Sequence, residues 1–216
     1  MKKINTVFVV TYEVQGKGVI HNEIREANRW ILDGEGVATI KFDGTASLIE
    51  DGKVFKRYDR KLKKQFLKLK RKPDFVADAS MFKDAPDGFI PCETEPDRKT
   101  GHWPGWVEID FNNPNDKWHV EAIENLDVPL DSLENGTYEL VGPKIGVNHY
   151  GLERHEFWKH GSAVVDVEPT FEAIKAWLEN NVQEGLVFHH PDGRMAKIRR
   201  KDMFKVKNGD WSNILA

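Results

Sequence analysis

The residues best suited to covalent chemistry lie in the stretch Lys41-Phe42-Asp43-Gly44, which follows a largely apolar run. The pattern predicts a strand that delivers a lysine amine, with a carboxylate two residues further on. The glycine allows a backbone or a ligand to approach closely. Burial or a neighbouring cation can lower the pKa of such an amine from about 10.4 and make it a nucleophile. The same tetrapeptide occurs in surface hairpins, so the other charged positions decide between the two interpretations.

Two further predicted strands each carry a charged residue that is a candidate for the site. Asp51-Gly52 predicts a two-residue hairpin turn, and the returning strand carries Arg57. The register of that strand decides whether Arg57 lies near Lys41 or near the turn, and the sequence leaves both open. Glu139 lies in an apolar strand predicted over residues 136–142, where a carboxylate is costly unless it is paired or used.

A second hairpin is predicted near the end of the chain. Glu184 opens its first strand, and residues 195–201 return after a Pro-Asp-Gly turn. Successive strand residues face opposite sides, so Lys197 and Arg199 share one face and Ile198 takes the other. Two cations opposite a strand that begins with Glu184 predict a site for a polyphosphate and its metal ion.

The composition limits the class of protein. The chain has 216 residues and a net charge of −3, so no global positive field recruits nucleic acid. One cysteine, Cys92, excludes an internal disulfide and is typical of a reducing compartment. No run approaches 18 apolar residues, and the start of the chain is too polar for a signal peptide. We therefore expect a soluble, cytoplasmic protein that does not bind a membrane.

Hydrophobic periodicity predicts the remaining elements. Helices are predicted over residues 22–30 and from Thr170 to about residue 181. Further strands are predicted over residues 7–11, 107–111, 118–123 and 163–167, and an irregular stretch over residues 148–160.

Residues 60–72 hold eight basic residues among thirteen, with Leu62, Phe66 and Leu69 at helical spacing. The spacing predicts an amphipathic helix with a basic outer face. That face either follows the phosphates of a nucleic acid or is merely solvated, and both interpretations stay open.

Tryptophans and histidines give weaker signals. Trp103 and Trp106 lie in a loop-rich region over residues 84–118, where they either stack on bases or, as we favour, pin the loop to the body. His189 and His190 are neighbours that face opposite ways on a strand, so a zinc site is not predicted.

The order of the charged positions resembles the covalent nucleotidyltransferase superfamily of ligases and RNA capping enzymes. Its collinear motifs are a Lys-x-Asp-Gly nucleophile, a following Arg, a strand Glu, a Glu-Gly-hydrophobic-Val strand and a last strand with a Lys. Here these are the Lys41 stretch, Arg57, Glu139, the Glu184 strand and Lys197. Five matches in order are far more specific than any one of them.

Additional segments are similar to the animal-type 5′-to-3′ ATP-dependent RNA ligase family. These segments are residues 57–61, 101–107, 150–152 and 160–161. The resemblance implies an α+β nucleotidyltransferase (ligase adenylation) fold, with antiparallel sheets and a nucleotide groove between them. It implies an enzyme that joins RNA 5′-phosphate and 3′-hydroxyl ends through AMP held covalently on Lys41, with ATP and Mg²⁺ or Mn²⁺.

The resemblance also implies a role for each site residue. Lys41 is the nucleophile, Glu184 serves the metal, and Lys197 contacts the α-phosphate. The residues implied in nucleotide binding are Ile40, Lys41, Asp43, Gly44, Arg57, Glu139, Glu184, Lys197 and Arg199. Ile40 would flank the adenine and read its edge through the backbone.

The sequence departs from the superfamily pattern in two places. The segment over residues 161–167 offers no aromatic side chain to stack on the base, so Trp158 or a residue of the 84–118 loops would have to substitute. Ligases of this kind often carry a Glu close before the nucleophile, but Thr39 and Ile40 stand there, so the choice of ATP over GTP is not specified. A GTP-dependent capping guanylyltransferase is the alternative enzyme, and a non-catalytic RNA-binding relic of the fold is the third hypothesis. We expect one adenylation domain over residues 1–216, without an appended OB-fold.

Overall fold

A computed structural model of the protein describes residues 4–12, 18–72, 74–98, 100–207 and 210–214. Its backbone contacts divide the chain into two units. The first unit contains Gly44–Lys159, and the second unit contains Ile4–Asp43 together with His160–Ala216. The chain therefore passes from one unit to the other between Asp43 and Gly44, inside the Lys-x-Asp-Gly stretch.

The described part of the chain contains strands, three α-helices and several 3₁₀ turns, joined by loops. The strands are β1 (Asn5–Thr6), β2 (Phe8–Tyr12), β3 (Gly18–Ile24), β4 (Val37–Lys41), β5 (Thr45–Glu50), β6 (Lys53–Arg60), β7 (Ile90–Pro91), β8 (Trp103–Glu108), β9 (Gly136–Val141), β10 (Glu156–Lys159), β11 (Val164–Val165), β12 (Gly185–His189), β13 (Met195–Arg199), β14 (Val206–Lys207) and β15 (Asp210–Ile214). The α-helices are α1 (Lys117–Glu124), α2 (Phe171–Asn180) and α3 (Arg200–Met203). This mixture of helices and antiparallel sheets confirms the predicted α+β class.

The second unit is built on a five-stranded sheet in the order β1-β13-β12-β4-β11. All neighbours in it are antiparallel except β1 and β13, which are parallel. One face of this sheet is apolar, and Leu186 and Ile198 on it are fully buried against Ile174 and Leu178 of α2. The predicted helix after Thr170 is confirmed as α2. Thr170 caps its N-terminus, because the Thr170 hydroxyl accepts a hydrogen bond of 3.2 Å from the Ala173 N–H.

The first unit contains a six-stranded antiparallel sheet in the order β10-β9-β5-β6-β8-β7. The predicted hairpin turn is confirmed, since Asp51 and Gly52 have φ values of 50° and 71° and connect β5 to β6. Type I′ turns require a positive φ at both central residues. The returning strand pairs with β5, so Arg57 lies in the half of β6 away from the turn, opposite Trp106 of β8.

Several predictions of secondary structure are wrong. Residues 22–24, where the predicted helix over residues 22–30 would begin, belong instead to strand β3, because pairing with β2 satisfies their backbone groups. A short 3₁₀ turn, Glu26–Ile31, follows. Residues 117–124 form helix α1 instead of a strand, with His119 and Ala122 buried one turn apart.

The other boundary differences are smaller. The strand predicted over residues 107–111 is β8, which begins at Trp103 and ends at Glu108. The stretch 148–160, predicted to be irregular, ends in strand β10. The strand predicted over residues 163–167 shortens to the two residues of β11.

The prediction of an amphipathic helix over residues 60–72 is also wrong. Strand β6 continues to Arg60, and two 3₁₀ turns follow, Lys64–Phe66 and Leu69–Arg71. Leu62 is buried by a strand-like bridge to Phe82, which fixes the chain in a conformation that a helix cannot adopt.

Candidate active site

The second unit presents Lys41 on the polar face of its sheet. Gly185 of β12 lies directly opposite Lys41, and Arg199 of β13 lies opposite Gly185. The period of two puts Lys197 on the same face as Arg199, while Ala196 and Ile198 point into the core and are fully buried. The predicted separation of the two cations from Ile198 is therefore confirmed.

Lys41 is held by a buried carboxylate. Its ammonium group forms an ion pair with Glu184 Oε2, and Nζ also donates to the Phe42 carbonyl at 3.3 Å. Glu184 is only 6% exposed. Burial raises the pKa of the Glu184 carboxyl, the Lys41 cation lowers it, and the nearby Asp43 carboxylate adds to the increase. Removal of the partner of a buried carboxylate of this kind lowers the stability of the fold.

Two more cations complete the group on strand β13. Burial lowers the pKa of Lys197 to about 8, and the positive charges of Arg199 and Lys41 add to this effect. Arg199 forms a bidentate pair with Asp202, with Nε–Oδ2 and Nη2–Oδ1 distances of 2.9 and 2.7 Å. This pairing fixes the guanidinium plane. The second unit therefore brings together three of the predicted cations and Glu184, an arrangement suited to phosphate groups.

Asp43 is oriented by a residue that the sequence analysis missed. Trp211 of β15 is buried and donates its indole N–H to Asp43 Oδ2 at 2.6 Å. In the sequence, the only indication of this contact is a tryptophan near the end of a polar segment. The indole holds the Asp43 carboxylate near Glu184, which is consistent with the effect of Asp43 on the Glu184 pKa.

A second missed feature lies on the same sheet face as Lys41. Thr39 is two residues before Lys41 on β4, and its hydroxyl lies 2.9 Å from His189 Nε2 on β12. Burial lowers the pKa of His189, and the neighbouring His160 adds to this decrease. His190 points the other way and contacts Glu35 at 2.9 Å, which confirms that the two adjacent histidines face opposite sides.

Three of the predicted residues of the site, Glu139, Gly44 and Arg57, lie in the first unit. Glu139 is buried on β9, opposite Trp158 of β10. Gly44 fits against this strand because a Cβ atom there would lie 2.2 Å from the Leu140 carbonyl oxygen. Arg57 places its guanidinium 5.6 Å from the Trp106 ring centre and forms a 3.4 Å contact with Asp59. The roles that the resemblance gives to these residues stay predictions.

Ile40 has a defined place in the sheet of the second unit. Its backbone N–H donates to the Ala163 carbonyl at 2.9 Å, next to the pairing of β4 with β11. That N–H is therefore used inside the protein and is not available to a nucleobase. The predicted contact between Ile40 and adenine stays a prediction.

A substitution at Gly185 tests whether close contact between β12 and β13 stabilises the sheet that carries this site. A Cβ atom at Gly185 would lie 2.1 Å from the Ile198 carbonyl oxygen and 2.8 Å from Arg199 Cα, both in the backbone of β13. We expect Gly185→Ala to force the strands apart and to lower the free energy of unfolding, measured in urea, by about 1–3 kcal/mol or more.

Gly193 in the turn of the same hairpin is the matched control. It has open space around its Cα and a φ of 89°, so Gly193→Ala adds backbone strain of about 1 kcal/mol without a clash. A Gly185→Ala variant that loses no more stability than Gly193→Ala would show that the strands tolerate a side chain there.

Comparison with known proteins places the chain in a family. A family model described as RNA ligase 1 matches residues 121–208, a span that includes Glu139, Glu184, Lys197 and Arg199. The chain is 31% identical to RNA ligase 1 of Pongo abelii over 215 residues, which cover 76% of this chain and 66% of that protein. The chain belongs to an RNA ligase 1-like family.

Other relatives of the RNA ligase 1-like family give similar matches. The identity is 30% to RNA ligase 1 of Rattus norvegicus and 27% to RNA ligase 1 of Danio rerio, each with 76% of this chain and 66% of the relative covered. This chain thus spans 66% of the length of these curated relatives. The family assignment confirms the resemblance that the ordered motifs predicted.

Among the described residues, no helix combines the length and the apolar character needed to cross a membrane.

Proposed function

We propose that this protein is an ATP-dependent RNA ligase of the nucleotidyltransferase fold that joins 5′-phosphate and 3′-hydroxyl ends. One observation carries the proposal: the Lys41 amine is paired with the buried Glu184 carboxylate beside Lys197 and Arg199. The names of the curated relatives support the ligase activity and RNA as the substrate. Joining ends of this kind is the chemistry of RNA repair.

In the first step, a deprotonated Lys41 amine attacks the α-phosphorus of ATP. An N–P bond to AMP forms, and the P–O bond to the β-phosphate breaks with release of pyrophosphate. Transfers of this type depend mainly on positioning and on neutralisation of phosphate charge. Glu184 orients the amine, and Lys197 and Arg199 supply positive charge on the same sheet face.

Two further transfers complete the reaction. An oxygen of the RNA 5′-phosphate attacks the phosphorus of the Lys41 adduct, which transfers AMP to the RNA and restores the amine. The 3′-hydroxyl of the second RNA end then attacks that 5′-phosphate, so that a phosphodiester bond forms and AMP leaves. Each transfer needs the same neutralising cations, so one group of residues serves all three.

A divalent cation fits the carboxylates of this site. Mg²⁺ is usually held by one or two carboxylates together with substrate phosphates and water. Glu184 and Asp43 are close enough to influence each other, and they would supply those two carboxylates. When bound, Mg²⁺ or Mn²⁺ would neutralise phosphate charge. Within the described ranges no cluster of three His, Cys, Asp or Glu side chains is present, so the phosphates would complete the coordination.

Labelling with radioactive nucleotides tests this function. We expect α-labelled ATP with Mg²⁺ to give a covalent adduct with the protein, and RNA with a 5′-phosphate and a 3′-hydroxyl to consume that adduct. Labelling by GTP alone would instead identify a capping-type guanylyltransferase. A folded protein that takes label from neither nucleotide but still binds RNA would be a non-catalytic relative.

A further inference from the structure

A strongly basic surface remains outside the candidate active site. After β6 ends at Arg60, residues 61–72 contain seven basic residues and no Asp or Glu. We call residues 61–72 the lysine segment. The whole chain has a net charge of −3, so the positive charge here is a local concentration. Such a concentration is the usual footprint of polyanion binding.

The lysine segment is anchored to the first unit. Leu62 is only 6% exposed and packs with Phe82 and Trp103 in a small hydrophobic cluster. The Lys63 N–H donates to the Met81 carbonyl at 2.8 Å, and the Lys83 N–H donates to the Lys61 carbonyl at 2.9 Å. These contacts fix the backbone of residues 61–63, so the neighbouring lysines project from a defined surface.

Most lysine side chains of the segment have no acidic partner within the described ranges. Lys61, Lys64, Lys68, Lys70 and Lys72 are exposed and form no ion pair with any residue that the structure describes. Elsewhere in the first unit, lysines at strand positions do have partners: Lys53 pairs with Glu108 at 3.2 Å, and Lys56 pairs with the buried Asp116. The uncompensated repulsion within the segment is relieved when a polyanion binds.

Local geometry favours a nucleic acid over a membrane surface. Helices that bind a lipid surface have a long amphipathic face, whereas this segment contains two three-residue 3₁₀ turns. Leu67 and Leu69 are 50% and 38% exposed among the lysines. They offer apolar contact area for sugars and unstacked bases.

We propose that the lysine segment is the surface on which this protein holds its RNA, through contacts to backbone phosphates that do not depend on base sequence. The proposal rests on the proposed function in taking RNA as the ligand. Each lysine–phosphate contact releases a counterion, so the logarithm of the binding constant falls with the logarithm of salt concentration by about 0.7 per contact for single strands. Four such contacts would contribute a slope of about 3.

The test is a charge-neutralised variant with a control of equal charge change. Lys61, Lys64, Lys68 and Lys70 are changed together to Gln, and Lys63 is kept because its ammonium donates to the Ser80 carbonyl at 2.8 Å. The control changes four exposed lysines elsewhere to Gln: Lys53, Lys117, Lys205 and Lys207. Binding of 5′-phosphorylated single-stranded RNA is measured at several salt concentrations, and covalent ATP labelling is measured without RNA.

We expect the RNA affinity of the segment variant to fall on the order of 100-fold at 0.1 M salt. The slope of the logarithm of the binding constant against the logarithm of salt concentration should become shallower by about 3. The control should stay within about threefold of the unmodified protein. ATP labelling should be unchanged, and sealing should show a raised KM for RNA with an unchanged kcat.

Equal affinity and slope in the segment variant and the control would overturn the proposal. So would unchanged RNA binding together with lost binding to vesicles of anionic phospholipid, which would assign the segment to a membrane. Absence of ATP labelling in the unmodified protein would refute the ligase function alone, because the RNA-binding comparison does not depend on labelling.

Discussion

Replacement of Lys41 by Ala should abolish covalent labelling by ATP, with a loss on the order of 10⁴-fold or more. No other side chain can take over the first transfer if the Lys41 amine forms the N–P bond. The fold should survive, since Lys41 lies on the polar face of β4 and the apolar face of the sheet is untouched. Circular dichroism and urea unfolding check the fold, and α-labelled ATP checks the chemistry.

Lys41→Arg separates the charge of this residue from its reactivity. An arginine keeps a positive charge beside Glu184, but its guanidinium is always protonated and is not a nucleophile. We expect Lys41→Arg to be as inactive as Lys41→Ala and more stable than it, because Glu184 keeps a partner. Lys205→Ala, at an exposed position of the second unit, should label normally. Substantial labelling of either Lys41 variant would mean that another residue is the nucleophile.

The Lys197→Met variant should be more stable than the unmodified protein at pH 7 and catalytically inactive. The positive charge of Lys197 is held in a partly buried site beside two other cations, which lowers its pKa to about 8. Methionine keeps the aliphatic stem without the charge, so we expect the free energy of unfolding to rise by roughly 1–3 kcal/mol. Loss of a cation beside the phosphates should remove most ATP labelling.

This gain in stability should depend on pH. Below pH 8, Lys197 is protonated in both the folded and the unfolded protein, so the whole cost of burying the charge is present. Between pH 8 and about 10.5, the folded protein releases this proton while the unfolded chain still holds it, so the unmodified protein becomes more stable relative to the variant. Urea unfolding at pH 7 and at pH 10 should therefore show the gap shrinking.

Lys205→Met is the control for the added hydrophobic side chain, since Lys205 is exposed and should give little change at either pH. If Lys197→Met were less stable than the unmodified protein at pH 7, the charge of Lys197 would be a net stabilising contact. The explanation of its lowered pKa by burial and neighbouring cations would then be wrong.

Alternation of side chains along a strand correctly predicted which residues of β13 share one face of the sheet. The pattern that puts Lys197 and Arg199 opposite Ile198 holds in β13, because one face of that sheet must pack on α2. The order of motifs also placed Lys41 and Glu184, which are 143 residues apart, in the same site, although it assigned Glu184 to the metal and did not predict their ion pair. Local periodicity could not have placed them together, since the two residues meet only when β4 pairs with β12.

Other features depended on contacts that no local pattern encodes. Residues 118–123 have a periodicity that fits both a strand and a helix, and the buried packing of His119 and Ala122 decides for α1. In the basic run, the apolar spacing suited a helix, but burial of Leu62 against Phe82 set a different conformation. The contact of Trp211 with Asp43 joins residues 168 apart, so only the folded chain reveals it.

Mass spectrometry tests the central claim most directly. The intact protein is incubated with ATP and Mg²⁺, weighed, digested, and its adduct is mapped to a peptide. The site described above predicts the added mass of one AMP, located on Lys41 and released on addition of RNA with a 5′-phosphate and a 3′-hydroxyl. An adduct on Lys197, the neighbouring amine with the lowered pKa, would contradict it, as would a folded protein that gains no AMP at all.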